Sequence, residues 1–179
     1  EILEVGMGPD AAVMSWCGSH DGVAHDGTKE LQNGGIVASR LGHNVVMSPT
    51  EFMYLDYMQS DRTMEPLIYA SLRLNKVYSF DPMPPGLNTA EQKYILGAQG
   101  NLWTEQVYNF RQAEYMTWPR AFAIAEDAWS RNENKNWDDF VTRVEAQFTR
   151  FNIEEVKYAH SMYEPDFIQS ILPECSLKM

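Results

Sequence analysis

The sequence predicts an α/β fold built from parallel βαβ units. Three short runs, at 11–16, 44–48 and 94–99, are apolar almost without interruption. A strand covered on both faces reads this way, whereas a half-exposed strand alternates. Stretches of helical period separate and follow these runs. The residues best suited to chemistry, Trp16, Tyr54, Asp56, Trp103 and Glu105, each stand at the end of one of them or after it.

The first run, Ala11-Ala12-Val13-Met14-Ser15-Trp16, is bounded by Pro9-Asp10 and Gly18. Residues 18–28 are rich in Gly, Asp and His and read as a loop. Residues 36–41 form a short helix closed by Gly42. The second strand, 44–48, is stopped by Pro49, which has no N–H to give a ladder. Residues 50–60 make an aromatic-rich loop or short turn. Apolar residues at 67, 68, 72 and 74 predict a helix over 65–77. Residues 81–89 hold three prolines and a glycine and form a stiff loop. The third strand covers 94–99, and Gly97 and Gly100 mark close packing or a bend. Residues 111–130 are helical, with Pro119 as a break or a fresh start. Asn136 caps an amphipathic helix with apolar residues at 137, 140, 141, 144, 148 and 151. Residues 163–179 read as irregular.

The 179 residues, 44% hydrophobic, suffice for one domain with a core. A net charge of −11 argues against nucleic acid, whose phosphates require clustered Lys and Arg. No apolar stretch nears the ~20 residues that a transmembrane helix needs, so no membrane partner is expected. Cys17 and Cys175 read as free thiols. The four His residues lack ligand spacing, and neither a metal nor an organic cofactor is expected. The opening Glu1-Ile2-Leu3-Glu4-Val5 reads as the interior of a longer protein.

Trp103 stands two residues before Glu105 at the end of the third strand. In extended chain the two share a side, an apolar plate beside a hydrogen-bond acceptor. A sugar ring, with its apolar C–H face and rim of hydroxyls, suits that pair. The plainer reading is a core indole and a surface charge. Tyr54-Leu55-Asp56 repeats the spacing. A phenol that donates and a carboxylate that accepts can clamp an amide or a diol, or the trio can be a loop packed on a helix. Trp16 is core filler or a pocket wall. Phe80, beside Pro82, Pro84 and Pro85, is a fixed pocket rim or part of a connector. Arg120, with Glu126 and Asp127 nearby, reads as a buried structural ion pair tying helix to sheet.

Several motifs together resemble one known family. Glu1-Ile2-Leu3-Glu4 and Pro9-Asp10-Ala11 are similar to the segment after its fifth barrel strand, and Val13-Met14-Ser15-Trp16 to the sixth strand. Gly42-His43-Asn44-Val45-Val46-Met47-Ser48-Pro49 resembles the seventh, and Tyr54-Leu55-Asp56 matches a Tyr-Leu-Asp that follows it. Gly97-Ala98-Gln99-Gly100-Asn101-Leu102-Trp103-Thr104-Glu105 resembles the eighth strand, and Pro119-Arg120 through Trp129 the helix behind it. The family is the family-20 glycoside hydrolases, the β-N-acetylhexosaminidases.

The resemblance implies about the last three βα units of a (β/α)₈ TIM barrel with C-terminal helices over 1–160, and an irregular tail over 161–179. It implies substrate-assisted retaining hydrolysis of terminal β-linked N-acetylhexosamine, GlcNAc or GalNAc, from an oligosaccharide. Tyr54 would orient the acetamide. Trp16, Phe80 and Trp103 would wall the sugar, and Asp56 and Glu105 would bind its hydroxyls. The family's adjacent Asp-Glu pair, on its fourth strand, does not occur in these 179 residues, and Cys17 stands where an Arg is common. The chain alone is therefore expected to lack turnover, to need the N-terminal part of the barrel as its partner, and without it to be marginal, to self-associate or to rearrange. The family points to a periplasmic, extracellular or lysosomal-type setting. Two other readings stay open: a non-catalytic carbohydrate-binding or assembly module, and an unrelated barrel glycosidase using Glu105 as acid or nucleophile.

Overall fold

A computed structural model describes residues 3, 6–8, 10–16, 33–60, 65 and 70–160. The 18–28 loop, Cys17, Cys175, His20, His25 and the tail lie outside the described residues. Three strands, β1 (Ala12–Ser15), β2 (Asn44–Met47) and β3 (Ile95–Ala98), form a parallel sheet in the order β1-β2-β3. All three fall inside the apolar runs that predict them.

The crossovers follow from local sequence. Helix α1 (Asn33–Arg40) leads into Gly42, whose φ of +85° lets the chain reverse into β2. Its Ala38 packs with Val45 and Met47, the two fully covered residues of β2. Pro49 then starts a single helical turn, α2 (Thr50–Met53). Between β2 and β3 come α3 (Leu74–Tyr78) and α4 (Thr89–Gln92). The latter opens on a capping box between Asn88 and Glu91.

The expected helix over 65–77 is corrected. Among the described residues of that stretch, helix is confined to Leu74–Tyr78. The Met58 N–H donates to the Ala70 carbonyl at 2.9 Å, and the Leu72 N–H donates to the Met58 carbonyl at 2.7 Å. Those groups are committed sideways and cannot enter an i→i−4 ladder.

Beyond β3 the chain is helical in two pieces, α5 (Phe110–Thr117) and α6 (Arg120–Trp129), with Pro119 at the N-cap of the second. Helix α7 (Trp137–Ile153) begins as expected: the Asn136 side chain accepts the Asp139 N–H. It buries Phe140, Val144 and Phe151. A core cluster joins α3, α6 and α7 through Leu74, Val77, Tyr78, Ala123, Phe140 and Val144. Within it Phe140 stacks on Tyr78 with ring centroids 4.4 Å apart.

Phe140 is 1% exposed and ties three helices, so Phe140→Ala should lower the unfolding free energy by about 3–5 kcal/mol. Urea denaturation measures this; a loss under about 1 kcal/mol would show that the seam collapses around the missing ring.

Candidate active site

Parallel strands in register end together. The Ser48 N–H donates to the Ser15 carbonyl at 2.8 Å, and the Gln99 N–H to the Met47 carbonyl at 3.0 Å. Trp16, Ser48 and Gln99 therefore leave one rim of the sheet side by side. Trp16 is 48% exposed there, so it is not core filler.

The chain after β3 does not stay in the sheet. The strand stops at Ala98, and Asn101 instead bridges to Tyr54. The Asn101 N–H donates to the Met53 carbonyl at 2.7 Å, and the Asn101 carbonyl accepts the Leu55 N–H at 2.6 Å. Its side chain closes a small network: Nδ2 donates to Ser48 Oγ at 2.6 Å, Ser48 Oγ donates to the Gln99 carbonyl at 2.7 Å, and Gln99 Nε2 donates to Asn101 Oδ1 at 2.7 Å. Gly100 belongs to the same fit, since a Cβ there would meet Ile124 Cδ1 at 2.5 Å. This corrects the picture of Trp103 and Glu105 as alternate strand residues. They lie on an irregular segment, with Glu105 in a turn, held alongside the 53–55 segment by the Asn101 clamp.

The clamp brings Tyr54 and Trp103 together edge to face, with ring centroids 6.1 Å apart. Tyr54 is buried and Trp103 is 46% exposed, a partly wet aromatic wall over a dry one. Asp56 lies beneath and is 4% exposed. Backbone N–H groups of Asp56 itself and of Trp103 point at its carboxylate, yet its Oδ1 has no hydrogen-bond partner. Burial raises the Asp56 pKa above the ordinary carboxylate value; the Arg120 charge opposes that and the nearby Glu105 charge adds to it. Tyr54, Asp56, Trp103 and Glu105 thus converge, with Trp16 on the same rim.

Phe80 does not join them. It is 2% exposed and packed with Ala38, Val45, Met47 and Met53, its ring 5.1 Å from that of Phe52. The expected rim plate is a core residue on the helix-covered face of the sheet.

Arg120 also departs from expectation. It is wholly buried at the start of α6, and its hydrogen bonds go to backbone carbonyls rather than to a carboxylate. Nη1 donates to Tyr57 at 2.9 Å and Leu72 at 3.0 Å; Nη2 donates to Leu55 at 2.5 Å and Met116 at 2.6 Å. Burial pulls its pKa down to about 9, against the supporting charges of Glu65 and Asp56. Glu65 accepts the Gln59 and Ser60 N–H groups, each at 3.0 Å, and the Tyr115 hydroxyl at 2.7 Å. The other two acids of α6 are paired: Asp127 with Lys135 at 2.7 Å, and Glu126 with both Nη atoms of Arg143. Sequence reasoning missed Ser48, Gln99, Asn101 and Glu65. Asn101 alone carried a signal, a polar residue behind a glycine just past a buried strand. Among the described residues no three of His, Cys, Asp and Glu gather as for a metal ion.

A groove of about 470 Å³ lies elsewhere, between α6 and α7, lined by Phe122, Trp129 and Val144 among others. It holds the Glu126–Arg143 pair, already mutually satisfied.

Comparison with known proteins gives concordant matches. Residues 4–132 match the model of glycosyl hydrolase family 20, catalytic domain. A β-hexosaminidase of Porphyromonas gingivalis is 36% identical over 160 residues, 88% of this chain and 19% of the relative. A β-N-acetylhexosaminidase of Cellulomonas fimi is 34% identical over 113 residues, 61% of this chain and 22% of the relative. The crystal structure of a Vibrio harveyi GH20 exo-β-N-acetylglucosaminidase in complex with N-acetylglucosamine superposes with a TM-score of 0.65 at 29% identity, covering 72% of this chain and 20% of that one. The chain spans about a fifth of the length of these proteins.

The raised pKa of Asp56 has a sign that can be tested. The native state holds the Asp56 proton to higher pH than the unfolded chain does, so ionising this carboxyl reduces stability as pH rises past the ordinary value of about 3.9. Asp56→Asn removes that dependence. The variant should exceed the parent in unfolding free energy at pH 7, and the gap should close towards pH 3. Paired denaturation curves across that range check it, and a gap that widens on acidification would reverse the assignment.

Proposed function

The chain belongs to glycosyl hydrolase family 20, and from that membership we propose that it forms the sugar-holding side of a retaining exo-β-N-acetylhexosaminidase. In this reading the ligand is a terminal N-acetylhexosamine on an oligosaccharide. The observation that carries it is Asp56: a buried carboxylate with an unpartnered oxygen, set beside a half-exposed indole and a second acid. A buried acceptor left open is costly unless a ligand donor completes it.

Each residue takes a role suited to its chemistry. Trp103 gives the apolar C–H face of the ring a flat partner, and Trp16 closes the rim on the β1 side. Asp56 and Glu105 accept from ring hydroxyls. The Tyr54 hydroxyl donates to the acetamide carbonyl and aims that oxygen at the anomeric carbon. The acetamide oxygen is the nucleophile, so the protein needs no nucleophilic carboxylate of its own. The bond from that oxygen to the anomeric carbon forms as the glycosidic bond breaks, and the leaving oxygen takes a proton from a general acid. That acid belongs to an adjacent Asp-Glu pair, absent from these 179 residues and supplied by another part of the barrel. The chain is then inactive alone and active only within the larger enzyme.

Titration with N-acetylglucosamine by heteronuclear NMR tests the binding half. Saturable shifts at the indole N–H of Trp103 are expected, and Trp103→Ala should weaken binding about tenfold, or about 1.4 kcal/mol. Absence of any saturable binding would overturn the reading. An aryl N-acetylglucosaminide assay tests the other half: turnover by the 179-residue chain would refute an external acid. In the longer polypeptide, Glu105→Gln should raise KM more than it lowers kcat. Complete loss of turnover with substrate still bound would make Glu105 an acid or nucleophile instead.

A further inference from the structure

We propose that Arg120, which faces away from the mouth, is a positioning residue for Tyr54 and Asp56, gripping the backbone on either side of the Asp56 carboxylate. The proposal rests on the sugar-binding reading above for what Asp56 does, but its geometric part stands apart from it.

Nη2 holds the Leu55 carbonyl and Nη1 holds the Tyr57 carbonyl, the residues immediately before and after Asp56. The remaining two bonds, to Leu72 and Met116, tie the same guanidinium to the 70–73 segment and to the last turn of α5. A planar, rigid fork with fixed donor directions sets these carbonyls relative to one another in a way that a single ammonium cannot. With both flanking peptide groups fixed, the Asp56 side chain has one place to be.

The segment is pinned at its other ends by different means. Asn101 brackets Leu55 through backbone bonds, and Glu65 takes the N–H groups of Gln59 and Ser60. Gln59 Nε2 in turn donates to the Tyr115 carbonyl. Between these pins Arg120 takes the Leu55 and Tyr57 carbonyls, and Met58 just beyond pairs with Ala70 and Leu72. The charged and titratable groups facing Asp56 are Arg120 from α6, Glu105 from the segment after β3, and Tyr57 on its own loop. Arg120 is the cation among them, so it opposes the cost of an ionised Asp56 while holding that carboxylate out of water.

A residue that merely stabilises the fold would weaken everything together. A positioning residue weakens the site selectively and through Asp56. The test is a cycle of Arg120→Lys, Asp56→Asn and the double variant in the 179-residue chain, read by N-acetylglucosamine affinity and by amide hydrogen exchange. Arg120→Lys should weaken affinity about tenfold in the parent background and by less than twofold in Asp56→Asn. Exchange should quicken at the Leu55, Tyr57 and Met58 amides while Val45 and Gln99, at the sheet, stay protected. Equal weakening in both backgrounds, or a uniform loss of protection reaching the sheet, would overturn the proposal. Should Arg120→Lys fail to fold, Glu65→Gln carries the same test. It loosens the neighbouring pin and removes a charge that supports Arg120, and the same local pattern is expected or refuted. If the parent chain binds no N-acetylglucosamine, the functional reading falls, and the exchange pattern alone decides the positioning role.

Discussion

A buried guanidinium must be solvated by something, and in this chain the solvent is backbone. Arg120 is wholly buried and finds four carbonyls, drawn from the 54–60 segment, the 70–73 segment and α5. Removing such a group from water costs several kcal/mol, roughly, unless fixed dipoles replace the hydration. The constraint runs outward from there. Three of those carbonyls, on Leu55, Tyr57 and Leu72, are turned out of any ladder and lie in irregular chain, while the fourth, on Met116, is in the last turn of α5, where carbonyls lack an intrahelical partner. That is why Tyr54 to Ser60 is well buried yet forms no regular element beyond one bridge at each of Tyr54 and Met58. An irregular, buried and fixed segment is what can present a phenol and a carboxylate at a chosen place.

Two buried acids in this fold show what partnership changes. Asp127 sits against Lys135 at 2.7 Å, and Lys135 also reaches the Phe80 carbonyl at 2.9 Å and lies over the Tyr78 ring. Burial still pushes Asp127 up to about 7, because the pair lies where water does not reach. Its role is to fasten α6 to the loop before α7 and to the end of α3. Asp56 is as deeply covered but has no side-chain cation bonded to it. Its stabilisation is backbone N–H groups on one side and the charge of Arg120 across the peptide groups. In the first arrangement a cation closes one carboxylate oxygen, Oδ1, and leaves Oδ2 buried without a partner among the described residues. The second leaves an acceptor facing a partly wet aromatic mouth, and the resulting loss of stability is what a ligand hydroxyl would recover.

Much of this was legible because the strands are covered on both faces. Continuous apolar runs at 11–16, 44–48 and 94–99 contain β1, β2 and β3, and Asn136 marked the start of α7 by its capping chemistry. The convergence of Tyr54, Asp56, Trp103 and Glu105 was legible too, although for a partly mistaken reason. The expectation placed Trp103 and Glu105 on a strand; an Asn101 clamp on an irregular segment does the placing instead. The 65–77 expectation failed because Ala70 and Leu72 bond across to Met58, and Arg120 found carbonyls rather than a carboxylate through bonds to residues some fifty or sixty positions away; neither kind of pairing leaves a periodic trace. Phe80 was misplaced because prolines fix a backbone without saying which face of the sheet an adjacent ring will find.

A second concavity lies away from this mouth. The groove between α6 and α7 is roomy and apolar, with Trp129 90% exposed beside it. Its charged residues, however, are already matched, with Arg143 forked on Glu126 and bonded to Asp139 as well. Beyond that pairing its lining offers Gln147 and the indole of Trp129, so it presents area with no charged group left to orient a ligand. The mouth above the sheet is the reverse. It offers modest apolar area from two indoles and a phenol, together with a deeply buried carboxylate oxygen that none of the described residues satisfies. Specific binding of a hydroxyl-rich ring depends on fixed acceptors of that kind, because a misplaced hydroxyl is rejected only where it strands a polar partner. The unpaired oxygen of Asp56, beside backbone that a buried cation grips, therefore marks the mouth rather than the groove as the candidate site.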